Sequence, residues 1–514
     1  MAPYKIVCGT VLCFGSAIGA ASFVSAEEEQ QARPVQSQRV VPARATGMTQ
    51  IDPPSLQLQL SEAATRSKVD ASISGISVND VLAAAAQIER APRDAASRER
   101  QEQESAGQRA VSRAQIAALS RLRPIDRATA SPENVLPPVR AQIQRRTTRP
   151  TPSGNDQLAA PPQPSLDVAG FGQDLHQALS GSVQGYTMRL RRNGQNIYTL
   201  QWNWARRPGD GQRGWNPDRR MNIASVSKFI TAVAMVDLLD RRNIDPDTPI
   251  AQWLPAYWTR GANVDDITFE MLMTHSSGLA NSGSTDFATM RQLVAGGVTS
   301  NLPTSFNYEN TNFGLQRILI ATVGGYVGRN LNLGPVGLND SVWNAATTAA
   351  YRDYVEKNVF APAGVTNAGF GKSANTAIAY AFNGGSGWNS GNLSWRAGSG
   401  GWHLSVDEIL DVAATYRYTG KIVSQGEAAS AIANRYGFDG RWATTMGFVY
   451  HKNGSWREQA DCPVGQRQEQ SLLLLLPDNM EMALLVNSPV GPNCTFLRGV
   501  VQQILLDNIV APDS

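Results

Sequence analysis

Residues 224–234 read Ala224-Ser225-Val226-Ser227-Lys228-Phe229-Ile230-Thr231-Ala232-Val233-Ala234, and the conformation of this stretch decides what the rest of the chain must build around it. Its apolar residues continue at helical spacing through Met235, Leu238 and Leu239, which predicts a helix. Ser225 and Lys228 lie three apart and then share one face. A serine hydroxyl is a weak nucleophile until a neighbour takes its proton. A lysine one turn away, in a partly desolvated site, can take it. A serine near a helix start also offers its own N–H, among the amides a helix leaves unpaired, to a developing oxyanion. The plainer alternative is an ordinary N-cap serine.

Two further motifs lie C-terminal to this helix. Tyr308-Glu309-Asn310 is the only Tyr-x-Asn among thirteen tyrosines. Lys452-Asn453-Gly454-Ser455 is the only Lys/His-x-Gly in the chain. It follows a predicted strand over 446–450, and Gly454 would let the backbone approach a ligand closely. Before the helix, residues 185–190 and 197–202 alternate around Asn193-Gly194, the dipeptide preferred in tight hairpins. His275 and His403 read as structural hydrogen-bonders. Gly371-Lys372-Ser373 mimics the end of a phosphate loop, but Thr366 stands where its first glycine is needed.

Three motifs in the order SxxK, YxN, KxG resemble those of the class C β-lactamase and penicillin-binding-protein-like serine hydrolase superfamily, from about Asp174 to Ile509. The stretch 272–279, LMTHSSGL, resembles the family's LLTHTSGL. Phe360-Ala361-Pro362-Ala363-Gly364-Val365 resembles its F-x-P-L-G-M, and Gly400-Gly401-Trp402 its GGL segment. Residues 472–477 and 483–487 look like its last two strands. The resemblance implies an α/β (α+β) fold: an antiparallel sheet of N- and C-terminal strands, a mostly helical second lobe, and a site between them. It implies Ser225 as acylated nucleophile, Lys228 as its proton partner, and Tyr308 as general acid or base, with its pKa lowered by two ammonium groups. Asn310 would hold a substrate amide and Lys452 a substrate carboxylate. The N–H groups of Ser225 and Ser455, beside Gly454, would form the oxyanion hole. Two departures bear on substrate: an inserted-looking Gly/Asn-rich stretch over 324–340, expected to border the pocket, and residues 457–467 in place of a compact turn.

Composition bounds the remainder. Formal net charge is +3, from 46 basic and 43 acidic residues, which argues against nucleic acid as partner. Four histidines, with no HExxH and no CxxC, give no metal or cofactor signature. Residues 1–26 resemble a signal peptide ending Val24-Ser25-Ala26, which predicts export to a periplasmic or extracellular space. An uncleaved membrane anchor is the alternative. No Phe, Trp or Tyr occurs between Phe23 and Phe171. Residues 27–165 therefore read as a low-complexity, disordered leader, with short helices near Asn79 and over 110–122, and the hydrolase domain as 166–514. Cys462 and Cys494 remain after signal removal and are expected to pair, or else to be two buried thiols. The expected function is hydrolysis of an amide or ester through an acyl-enzyme: a D-peptide, a β-lactam or a small ester. The alternatives are a non-catalytic binder of cell-wall peptides and a neutral carboxylesterase. The sequence fixes no oligomeric state.

Overall fold

Leu472 to Leu476 is an unbroken run of leucine, the pattern of a strand covered on both faces. The computed structural model describes residues 163–280, 284–458 and 465–511. It places this run in β11 (Arg467–Leu476), at the centre of an antiparallel sheet. Side chains alternate along a strand. Leu473 and Leu475 therefore enter one buried cluster, and Leu472, Leu474 and Leu476 another on the opposite face.

The main sheet runs β4 (Arg213–Gly214), β3 (Gln195–Arg206), β2 (Gly185–Arg192), β12 (Met480–Val486), β11, β10 (Gly447–Arg457), β9 (Gly440–Thr444), with β6 (Ala379–Ala381) pairing with β11 and with β7 (Gly384–Trp388). N- and C-terminal strands thus meet at β2–β12. The Asn193-Gly194 hairpin forms as expected, both residues having positive φ. A short strand, β1 (Ser165–Leu166), pairs with the last, β13 (Ile509–Val510), so ordered pairing begins one residue before the expected boundary. Helices α1 (Val168–Ser180) and α7 (Leu497–Asp507) bury Phe171, Leu175, Val501 and Leu505 against the outer face of the sheet. Asp167 starts α1 by accepting from the amides of Ala169 and Gly170.

The inner face carries the helical lobe between β4 and β9. Its centre is α2 (Ser227–Arg242), buried continuously from Ser227 to Leu239, which ends on Asn243 in the left-handed region. The predicted helix starts later than expected: Ala224–Val226 is a separate 3-10 turn. Beside it lie α3 (Phe287–Gly296), α4 (Asn310–Val323), α5 (Val336–Val355) and α6 (Val406–Ala414). The Gly/Asn-rich stretch 324–340 leads into α5. Its hydrogen bonds run to the backbone of Gln252 and Ala256 and to the Trp343 indole, inside the helical lobe. A two-residue pairing of β5 (Met221–Asn222) with β8 (His403–Leu404) fixes the chain just before Ser225. No helix among the described residues is long and apolar enough to cross a membrane. The signal segment, the leader helices and Cys462 lie outside the described residues; Cys494 is buried.

Candidate active site

Gly454 shows how closely the two layers meet. A Cβ there would stand 2.5 Å from the Ile223 carbonyl oxygen, 2.3 Å from Ser471 Oγ and 3.0 Å from the Ser225 amide nitrogen. Only glycine lets β10 pass so close to the Ser225 turn. Ser471 Oγ donates to the Ile223 carbonyl at 2.6 Å, tying the turn to the neighbouring strand.

The three motifs converge on the Ser225 hydroxyl. Tyr308 donates its phenolic proton to Ser225 Oγ at 2.6 Å. Lys228 Nζ lies 3.1 Å from the same oxygen. It also reaches Asn310 Oδ1 at 2.8 Å and the Ser399 carbonyl at 2.7 Å. The expectation for Asn310 is narrowed accordingly: its oxygen is spent on the lysine, which leaves its amide protons as the groups it could offer a substrate. Ser227, the other serine of the turn, accepts from the Trp402 amide at 3.2 Å. Ser455 Oγ accepts from Gln468 at 2.7 Å, on the strand that follows Gly454.

The electrostatics separate two lysines. Lys228 is fully buried, and desolvation, followed by the charge of Lys452, holds its pKa well below the usual lysine range. A neutral amine has two hydrogens. Asn310 Oδ1 and the Ser399 carbonyl can only accept, so when Lys228 is neutral they take both and leave the lone pair to the Ser225 hydroxyl. Lys452 is also fully buried, but it is ion-paired with Asp439. Burial holds the Lys452 pKa below the ordinary lysine range, although Asp439 opposes this. Burial raises the Asp439 pKa, but Lys452 and the Asn453 amide, at 3.0 Å, outweigh it and hold the carboxylate below its ordinary range. The anionic partner expected for Lys452 from a substrate is therefore supplied by the protein.

Tyr308 corrects a second expectation. Its pKa is raised, not lowered: desolvation is the largest cause and Asp439 adds to it. Both ammonium positions sit over the ring, Lys228 Nζ at 4.9 Å and Lys452 Nζ at 4.8 Å from its centroid, yet burial wins. His275 packs on the same ring at 4.6 Å. Its Nδ1 accepts from the Glu309 amide and meets Asn312 Nδ2, each at 3.1 Å, so it shapes the segment that carries Tyr308. His403 Nδ1 lies 3.0 Å from the Gly401 carbonyl.

Sequence reasoning missed Asp439, the Ser399 carbonyl and an aromatic cluster. Trp395 and Trp456 meet edge to face at 6.0 Å, and Arg396 stacks on them at 4.3 and 5.3 Å. Trp456 directly follows Ser455 on β10. Among the described residues, no group of three or more His, Cys, Asp or Glu side chains is placed to hold a metal.

The Beta-lactamase family model matches residues 139–459, well over half of the chain. The chain belongs to the Beta-lactamase family. Members of this family are serine hydrolases. A Bacillus subtilis protein named as a penicillin-binding protein, PbpX, is 24% identical over 192 residues, 36% of this chain and 41% of that protein. The esterase EstB of Burkholderia gladioli is 30% identical over 122 residues, 22% of this chain and 31% of EstB. The chain thus spans less than half the length of either relative. The octameric penicillin-binding protein homologue from Pyrococcus abyssi shares the fold: TM-score 0.51, 16% identity, 66% of this chain and 77% of that one.

Proposed function

We propose that the protein is an exported serine hydrolase that cleaves an amide or ester through an acyl-enzyme on Ser225. The observation that carries this is one hydroxyl held between a buried lysine nitrogen at 3.1 Å and a phenol at 2.6 Å. Neutral Lys228 takes the Ser225 proton as Oγ attacks the acyl carbon. The oxyanion then faces the N–H groups of Ser225 and Ser455. Tyr308 gives its proton to the leaving group as the acyl–leaving-group bond breaks. Lys228, now an ammonium, stabilises the phenolate and returns the proton to it. The net transfer is from serine to leaving group, and water repeats the cycle to release the acid. Such proton transfers contribute roughly 10²–10⁴-fold. The Trp395–Trp456 pair offers an apolar surface to the substrate portion beyond Ser455.

Within this reading, the Lys452–Asp439 pair favours neutral acyl donors over carboxylate-bearing ones, because the pair brings no net charge to the site. The test is parallel labelling of wild type and Ser225→Ala with a fluorophosphonate and a fluorescent penicillin. A fluorophosphonate adduct that requires Ser225 supports the hydrolase. Faster labelling by the penicillin, with its carboxylate, would favour the D-peptide or β-lactam reading over the neutral ester.

A further inference from the structure

The residue before the nucleophile is strained. Ala224 has φ +45°, in the left-handed region that a Cβ disfavours. Such conformations persist only where the surroundings over-determine them. Here the surroundings form a continuous buried chain. The Ala224 amide donates to Asn222 Oδ1 at 2.9 Å. Asn222 Nδ2 donates to Glu469 Oε2 at 3.1 Å. Glu469 Oε1 is ion-paired with Lys372, whose ammonium also donates to the Ala377 carbonyl at 3.1 Å. The Lys372 side chain is 1% exposed and that of Glu469 0%.

An ion pair taken wholly out of water is a weak source of stability, and apolar residues of the same volume often serve as well. Its position is what gives it a use. Glu469 lies two residues before Ser471 on β11, and Ser471 holds the Ile223 carbonyl. The two side chains point to the same side of the strand and grip consecutive residues of the turn. The Ser225 amide nitrogen, just beyond Ala224, lies close against Gly454.

We propose that Lys372, Glu469 and Asn222 are positioning residues that hold Ala224 left-handed and thereby aim the Ser225 N–H and hydroxyl. The claim rests on the hydrolase reading for its kinetic consequence but not for its structural one. Misplacement by about 1 Å costs on the order of 10²-fold in rate. Asn222→Ala should therefore lower kcat about tenfold or more with KM changed by less than roughly threefold. Glu469→Gln keeps an acceptor for Asn222 but removes the charge opposite Lys372, and should lower kcat by a smaller factor. Adding Ala224→Gly to Asn222→Ala should recover most of the lost rate, because glycine takes positive φ without strain. A general loss of stability would not be repaired in kcat by that one methyl deletion.

A crystal structure of Asn222→Ala gives the second readout: Ala224 should leave positive φ. Wild-type kcat in Asn222→Ala, a loss that Ala224→Gly does not recover, or Ala224 still near its original φ in that variant would each overturn the proposal. If Ser225 in the wild type takes no label and no ester is cleaved, the hydrolase reading fails. The φ of Ala224 in the variant then still decides whether the chain holds the turn.

Discussion

The first turn of α2 and the β9–β10 hairpin each deliver one lysine to the same phenol, and they surround it in different ways. Lys228 meets a serine hydroxyl, an amide oxygen and a backbone carbonyl, all neutral. Lys452 meets a carboxylate. Both are fully buried, so burial does not separate them. The partner does. Burial favours the neutral form of both, and the counter-charge beside Lys452 opposes this, so the depression is deeper at Lys228. Lys228 is thus the more readily deprotonated of the two, and the charge of Lys452 is itself a cause of its depression.

The largest expected effect breaks the first half of this contrast. Lys228→Met should reduce kcat on an activated ester by roughly 10²–10⁴-fold. Lys228→Arg should not restore it, because a guanidinium does not deprotonate. Steady-state kinetics on the two variants reads this directly, and recovery by arginine would show that charge, not basicity, is what the position supplies.

The next effect breaks the second half. Asp439→Asn leaves Lys452 buried without its counter-charge, which should cost about 3–5 kcal/mol in denaturant unfolding. The double variant Asp439→Asn with Lys452→Met should recover a large part of that loss. A cost below about 1 kcal/mol for Asp439→Asn would mean the pair is better solvated than its burial indicates.

The smallest effect is a pH dependence. The folded pKa of Lys228 lies well below its unfolded value of about 10.4. Between those two values the unfolded chain binds the extra proton, so stability rises with pH across the window and is lowest below the folded pKa. Lys228→Met has no such proton. The Tm of wild type minus that of Lys228→Met should therefore increase as pH is raised from neutral toward about 9.5, below the unfolded pKa. A flat difference by scanning calorimetry would place Lys228 near its ordinary pKa.

The sequence made the local parts of the candidate site legible. Ser225, Lys228, Tyr308, Asn310 and Gly454 carry their chemistry in their own side chains, or in glycine's lack of one, at short fixed spacings. The Asn193-Gly194 hairpin and the leucine run of β11 were equally readable, and with them the sheet. Asp439 was not. It faces Lys452 only through the β9–β10 register, and the turn at Thr445-Met446 has no preferred turn dipeptide to locate it. The Ser399 carbonyl has no side-chain identity to find. The direction of the Tyr308 shift was misjudged because a sequence shows nearby charges and not the depth at which they are buried. Lys372, dismissed as part of a false phosphate loop, proved to be paired with a glutamate 97 positions away.

The central claim, a Ser225 nucleophile served by a neutral Lys228, is tested most directly by the pH dependence of fluorophosphonate labelling, with the adduct mapped by peptide mass spectrometry at each pH. The account predicts an adduct on Ser225 whose rate of formation rises through a pKa well below that of an ordinary lysine. An adduct on Ser227 or Ser455, or a rate still climbing through pH ~10.4 as for an exposed lysine, would contradict it.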